Sequence, residues 1–304
     1  MEHLPVLIVA RPGDEHGDQV EEAIRSRGKK VGRLSLNTFR QKTVEWEPGG
    51  PLRVDSATES FLIGPTSTIW WRRPGWVECD DLEADEVELI DSEVRTMVDG
   101  ILMSSGAKWI DHPMVVQQAE NKLYQLAVAC NGSVPIPQSK VTNSVEAARK
   151  LAAQNSIVAK TVSVGEGIAP FVDEVPADLL ERVSRAPVLL QERIDAVADL
   201  RIVTVGDRAF SWSRERRSGE PIDWRRPDPA GEEFEPFQHH DSEAGAVLMA
   251  ENLGLTHSSQ DWLDTPAGPV FLEANPGGQW LFLPNAKEIV IPALVDHLCG
   301  SEAS

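Results

Sequence analysis

The sequence predicts an α/β chain built from two or three modest α+β lobes, and three observations carry that prediction. Short apolar runs rich in β-branched residues alternate with helical patterns from the start of the chain onward. The length of 304 residues exceeds what one minimal core needs. Near the C-terminus, an apolar hairpin pattern ends in a carboxylate and a carboxamide two residues apart, a placement that folding alone does not require.

The elements follow in order. Val6-Leu7-Ile8-Val9-Ala10 reads as a strand, followed by a turn and a helical pattern through Val20, Ala23 and Ile24. Val31-Gly32-Arg33-Leu34-Ser35-Leu36 is the next strand, which makes a right-handed βαβ unit in a parallel sheet. Arg11-Pro12-Gly13-Asp14 is not a GxGxxG phosphate loop, so no dinucleotide site is expected there. Residues 41–60 are polar with Gly and Pro and predict a short hairpin. Thr68-Ile69-Trp70-Trp71 resumes the sheet and runs into Arg72-Arg73-Pro74-Gly75-Trp76. Residues 82–103 form an acidic helical pattern with Val87, Ile90, Val94, Met97 and Ile101 on one face. Trp109-Ile110-Asp111-His112-Pro113 ends a first lobe at residues 1–112. A helix over 116–129, a strand at Val141-Thr142, a helix over 145–153 and strands at 156–160 and 187–192 come next. Asp199-Leu200-Arg201-Ile202-Val203-Thr204-Val205 and Ala209-Phe210-Ser211-Trp212 are joined by Gly206-Asp207, a hairpin signal. No internal repeat or low-complexity segment interrupts this order.

Composition narrows the setting. The chain is 41% hydrophobic and 25% charged, ordinary globular usage. Its formal charge of −19 argues against a nucleic-acid partner, because affinity for a phosphate backbone comes from clustered Lys and Arg. Cys79, Cys130 and Cys299 are scattered, with no CxxC pair, so a reducing cytoplasm is the expected setting. The Val6–Ala10 run is too short for a signal peptide, and no apolar stretch approaches ~18 residues. A soluble protein with no membrane partner is expected.

Glu273 and Asn275 alternate on one strand and therefore project to the same face, just before Pro276-Gly277-Gly278 ends it. Asp261 precedes the turn Asp264-Thr265-Pro266-Ala267-Gly268, so a hairpin would bring it alongside them. Three hard oxygen donors suit Mg²⁺, which leaves other positions to phosphate and water. The plain alternative is a solvated hairpin with ordinary surface acids. Lys160 closes an apolar strand ahead of Thr161-Val162-Ser163-Val164-Gly165-Glu166-Gly167, a small-residue loop suited to phosphates; a snorkelling edge lysine is the competing reading. Gln191-Glu192-Arg193-Ile194 leaves its strand as a connector, where backbone groups could meet an adenine edge. Arg201 lies within a strand of Val, Ile and Leu and needs an anionic partner, Asp199 on the same face or a ligand. Arg214, Arg216, Arg217, Arg225 and Arg226 concentrate positive charge in an acidic chain, as a solvated loop or an anion site.

Taken in order, these segments resemble the ATP-grasp ligases over most of residues 113–300. The likeness rests on Lys122, Lys160-Thr161, Gln191-Glu192, Asp199-Leu200-Arg201, residues 214–225, Asp261 and Glu273-Ala274-Asn275-Pro276. Arg11-Pro12-Gly13-Asp14-Glu15-His16, Trp70-Trp71-Arg72-Arg73-Pro74, Ile222-Asp223-Trp224-Arg225 and Asn275-Pro276-Gly277-Gly278-Gln279-Trp280 are similar to the microviridin-type graspetide synthetases. The resemblance implies an ATP-grasp fold with an N-terminal pre-ATP-grasp domain (1–112), a central lobe (113–187) and a C-terminal lobe with the metal site (188–304). It implies ATP contacts from Lys122, Lys160 and the Gln191, Glu192, Arg193 and Ile194 connector, and Mg²⁺ on Asp261, Glu273 and Asn275. Arg201, Arg214 and Arg225 would stabilise the transferring phosphoryl group or position the acceptor carboxylate. The implied reaction activates Asp or Glu side chains of a ribosomal precursor peptide, bound through leader and core, and joins them to Thr, Ser or Lys. The assembly admits a homodimer. Two alternatives stay open: a ligase adding a free amino acid to a peptide or small acid, and a non-catalytic peptide or nucleotide binder. The stretch between Lys160 and Pro187 is short, with Gly165-Glu166-Gly167 a sparse phosphate cover.

Overall fold

The computed structural model describes residues 3–57, 59–78, 82–154, 156–162, 171–172, 177–217 and 234–300. It divides into one unit of Met1–Val116, Leu255–His257 and Asn285–Ser304 and another of Gln117–Gly254 and Ser258–Pro284.

In the first unit β1 (Val6–Ala10) is buried at every position, the pattern of a central parallel strand covered on both faces. It follows that every side chain of this strand is apolar. The predicted βαβ unit is present: α1 (Glu15–Ser26) leads to β2 (Val31–Leu34), which pairs parallel with β1. Residues 41–60 do not stop at a hairpin. They supply β3 (Thr43–Glu45) and β4 (Leu52–Asp55), and β5 (Ser60–Ile63) adds a third antiparallel strand. Phe61 and Ile63 are buried, so this strand is held by core packing that the polar stretch before it hides. β6 (Thr68–Arg73) returns beside β1, and α2 (Ala84–Ser104) begins at a Glu83–Glu86 capping box. Val87, Ile90, Val94 and Met97 of α2 are partly buried against the core, and Ile101 is buried within it. β7 (Lys108–Ile110) completes the sheet order β2-β1-β6-β7, and the helix Ala286–Cys299 packs on α1.

A buried polar cluster sits at the C-terminal end of β1. Asp14 caps α1 by accepting from the Gly17 N–H at 2.8 Å, and Arg72 Nε donates to the same carboxylate at 2.7 Å. Burial would raise the Asp14 pKa, but the Arg72 charge and these hydrogen bonds outweigh it and lower the value. Next to it, burial and then the Arg72 charge push His16 down to about 3. Asp111 accepts from the Thr256 and His257 N–H groups at 2.6 and 3.1 Å; burial still pushes it up to about 6.

Two helices lead into the second unit. The helix expected over 116–129 is two helices, α3 (Pro113–Ala119) and α4 (Lys122–Asn131). Asn121 breaks them apart: its backbone is extended and its side chain accepts from the Leu123 and Tyr124 N–H groups. β8 (Ser139–Thr142), α5 (Val145–Gln154), β9 (Ile157–Lys160), β10 (Phe171–Val172), α6 (Ala177–Arg182) and β11 (Val188–Glu192) follow. Their strands form an antiparallel sheet ordered β10-β9-β11-β8, packed on Ala148, Leu151, Leu180 and Val183. The remaining elements are β12 (Ala198–Val205), β13 (Arg208–Glu215), β14 (Glu235–Pro236), α7 (His240–Leu253), β15 (His257–Asp264) and β16 (Val270–Asn275). They make a sheet ordered β14-β13-β12-β15-β16. Gly206, at φ +59°, supplies the left-handed residue of the β12–β13 turn.

The cluster in the first unit gives a signed pH dependence. Between about pH 6.5 and 3 the unfolded chain takes a proton that buried His16 refuses, so His16 lowers stability as pH falls through that window. Asp111 acts oppositely, since its raised pKa favours the folded state at low pH and that contribution is lost as pH rises through about 6. His16→Asn removes only the first effect. The stability of the variant relative to wild type should therefore improve below pH 6.5, by at most about 1.4 kcal/mol per pH unit. Urea midpoints at pH 7, 6, 5 and 4.5 measure it; a gap that stays constant with pH would contradict the assignment.

Candidate active site

Asp261 on β15 and Glu273 on β16 are direct cross-strand partners, and Ser259 stands opposite Asn275 one step along the same ladder. The Asn275 Nδ2 lies 3.4 Å from Glu273 Oε1, which places these two side chains together as the alternation predicted. A register shift between Asp261 and Trp262 lets Trp262 face Phe271 while Asp261 faces Glu273. The polar face and the apolar face of the hairpin thereby keep their own pairings. Trp262 and Phe271 are fully buried and meet edge-on at 5.3 Å.

Like charges directly opposite destabilise a strand pair, and here each carboxylate has a cation. Arg201 Nη1 donates to Asp261 Oδ1 at 2.6 Å, and Lys122 Nζ lies 3.9 Å from Glu273 Oε2. Arg201 therefore has Asp261, not Asp199, as its anion. The reason is topological. β12 neighbours β15, and the two run in opposite senses, with Val197 N–H bonded to Asp264 O and Thr204 to Ser258. Arg201 falls beside Asp261 in that arrangement. Its Nη2 also donates to the Gln279 carbonyl at 2.7 Å, and its buried Nε has no hydrogen-bond partner among the described residues. Such a donor is costly unless an anion completes it. Asp199 instead stands opposite Arg214 on β13 and accepts from Arg214 Nη1 at 3.3 Å and Arg216 Nη2 at 2.5 Å. Two guanidinium groups thus share one carboxylate there.

Gln125, which the sequence alone does not single out, supports β16. Its Oε1 accepts from the Ala274 N–H at 2.8 Å, while its Nε2 donates to the Ala274 and Ala119 carbonyls at 2.7 and 2.6 Å. It thus grips the strand backbone between Glu273 and Asn275. The available signal was a glutamine at a buried helical position beside Leu126 and Ala129. Lys122 opens α4 directly after the Asn121 cap. Its charge and the positive end of the helix therefore reinforce each other toward an anion.

The other sequence-predicted residues belong to the four-stranded sheet. Lys160 ends β9, half-buried and opposite Leu189. Gln191 and Glu192 are still within β11, and the buried Gln191 donates through Nε2 to Ser139 Oγ at 2.8 Å. The backbone N–H groups of Glu192 and Arg193 are used by the Gln138 and Ser156 carbonyls, both at 2.8 Å. Those two donors are not the ones that meet a ligand; Ile194 follows as the chain leaves the strand. Arg225 and the Gly165-Glu166-Gly167 loop lie outside the described residues.

Among the described residues no three His, Cys, Asp or Glu side chains gather as a metal cluster. The candidate set is two carboxylates and one carboxamide. That donor chemistry fits a hard cation with phosphate and water completing its sphere. Arg201 and Lys122 already offset the opposition of Asp261 to Glu273, so it is the donor chemistry that points to a cation.

No family model and no curated relative matches the chain by sequence. Solved structures do. The macrocyclase MdnC of Microcystis aeruginosa, bound with precursor peptide MdnA, is 25% identical over 99% of this chain and 100% of its own, at a TM-score of 0.84. The macrocyclase MdnB from the same organism is 27% identical over 98% and 99%, at 0.74. The ATP-grasp ligase PsnB, solved with a phosphomimetic variant of a minimal precursor, Mg and ADP, is 22% identical over 99% of both chains, at 0.80. The chain has the ATP-grasp fold. Over its whole length it resembles the microviridin-type graspetide synthetases.

The grip of Gln125 on β16 is testable. Gln125→Leu keeps the volume but orphans the Ala274 backbone groups, at about 1–3 kcal/mol for each. Urea unfolding should register that loss. Calorimetric titration with a non-hydrolysable ATP analogue should show metal-dependent binding weakened roughly 10-fold or more. Unchanged metal dependence would mean that Ala274 needs no such clamp.

Proposed function

We propose that the chain is an ATP- and Mg²⁺-dependent ligase that forms cross-links within a ribosomally made precursor peptide. The observation that carries this reading is the row of Arg201, Asp261 and Glu273 across one sheet face, completed by Asn275 and Lys122, on a fold shared with the two Microcystis macrocyclases.

Chemistry at this face follows from its charges. A side-chain carboxylate of the peptide attacks the γ-phosphate of ATP, forming an acyl phosphate and releasing ADP. A hydroxyl or amine of the same peptide then attacks the acyl carbon, the phosphate leaves, and the nucleophile loses its proton. The net result is one ester or amide and one water lost from the peptide for each ATP hydrolysed to ADP and phosphate. Anion must approach anion in the first step, so positioning and charge neutralisation are the main tasks of the protein. Asp261, Glu273 and Asn275 would hold Mg²⁺, which offsets the phosphate charge when bound. Arg201 and Lys122 supply fixed positive charge beside them. Arg214, held against Asp199 on the same face, orients the attacking carboxylate through a planar fork that a lysine cannot reproduce. Arg225 is assigned to the same acceptor role, and Lys160 with the Gln191–Ile194 connector to the nucleotide. The peptide would be recognised through leader and core; the two neighbours solved with precursor peptides support a peptide as the partner.

The test uses short peptides rich in Thr with Asp or Glu as candidate precursors. With ATP and Mg²⁺, mass spectrometry should show about 18 Da lost per bond, and ADP should accumulate in proportion. Glu273→Gln should reduce both by at least roughly 10³-fold while circular dichroism stays native. A mass gain equal to an added amino acid would instead identify a ligase of free amino acids. Wild-type rates in Glu273→Gln at saturating Mg²⁺ would overturn the site.

A further inference from the structure

Ser259 is fully buried, and its Oγ has no hydrogen-bond partner among the described residues. It is two residues from Asp261 on β15, so it points to the face that carries Asp261. Directly across the ladder stands Asn275. Gly278 closes over the serine: a Cβ there would lie 2.6 Å from Ser259 Cβ and 3.0 Å from its Oγ. The turn after Asn275 therefore approaches so closely that only glycine fits, and it is tied back by the Gly278 N–H bonded to the Asn275 carbonyl at 3.0 Å. An alanine at 259 would fill the same space without burying an unpaired hydroxyl.

An asparagine ligand has two ends, and only its oxygen can bind a cation. The nitrogen end then needs an acceptor, or the carboxamide is free to present its N–H₂ to the metal. At present Nδ2 reaches Glu273 Oε1 at 3.4 Å, a long contact to an oxygen that a cation on Glu273 would claim. Resting on the metal assignment above, we propose that Ser259 is a positioning residue whose buried hydroxyl accepts from Asn275 Nδ2 when Asn275 gives its oxygen to the cation. Ser259 thereby selects the productive orientation of the carboxamide. It touches neither ATP nor peptide.

The experiment measures the Mg²⁺ concentration needed for half-maximal binding of a non-hydrolysable ATP analogue, by calorimetry, with metal-free melting temperature as the folding control. Ser259→Ala should raise the Mg²⁺ requirement roughly 10-fold, the usual scale for losing a group that orients a metal ligand. Its metal-free melting temperature should be equal or higher, because an unpaired buried hydroxyl has been removed. A second pair separates positioning from packing. Asn275→Asp has no amide to orient, so adding Ser259→Ala to Asn275→Asp should leave the Mg²⁺ requirement of that variant unchanged. If Ser259→Ala binds Mg²⁺ like wild type, or if its effect is the same in both backgrounds, the assignment of Ser259 is wrong. If wild type itself binds the analogue without regard to Mg²⁺, the metal assignment fails, and Ser259 with it.

Discussion

The opposition of Asp261 to Glu273 is the constraint around which the second unit is organised. Two unit charges about 5 Å apart repel by on the order of 3 kcal/mol at an effective dielectric near 20, and a hairpin cannot absorb that from its own ladder. The compensating cations come from elsewhere in the chain. Arg201 is delivered by the neighbouring strand β12, Lys122 by the first turn of α4. Gln125 then fixes α4 to the strand at Ala274, so the lysine and the carboxylate it faces are held by one clamp. Remove the carboxylate pair and none of these polar placements has a reason.

The same cations serve two purposes under the proposed reading. They neutralise the two opposed carboxylates. A bound divalent cation would take over that neutralisation, releasing Arg201 and Lys122 to face phosphate. Arg201 Nε has no hydrogen-bond partner among the described residues, so one guanidinium donor is left for a phosphate oxygen. Arg214 is held differently, by an Asp199 that also carries Arg216. Both guanidinium groups are fixed by that one carboxylate, so the orientation of Arg214 is set within its own sheet.

Much of this was legible in the sequence because it is local. The alternation of Glu273 and Asn275 and the turn at 264–268 sufficed to place three oxygen donors together, and the register bears that out. The βαβ start and the acidic helix were likewise readable from period alone. What escaped depends on distant pairing. Alternation on one strand offers Arg201 either Asp199 or a ligand as its anion, yet strand order brings Asp261 to it and sends Asp199 to Arg214. The third strand of the small antiparallel sheet, Ser60–Ile63, was hidden behind a polar stretch. The break at Asn121 was overlooked because the apolar period continues across it, although Asn is a good cap. Gln125 shows in the sequence only as a glutamine on an apolar helical face, with nothing to name Ala274 as its partner, and Ser259 has no sequence signature of its own. The likeness to known macrocyclases rested on ordered motifs, and the whole-length structural match supports it where no family model matches.

The central claim is that Asp261, Glu273 and Asn275 form a cation site that operates with nucleotide. Crystals grown with Mn²⁺ and a non-hydrolysable ATP analogue test it most directly, because manganese is located by its anomalous scattering. The account predicts a peak with oxygen ligands from all three residues at on the order of 2.1 Å, its other positions filled by phosphate oxygen and water. Manganese bound to the nucleotide alone, with Asp261 still paired to Arg201 and Glu273 still facing Lys122, would contradict it.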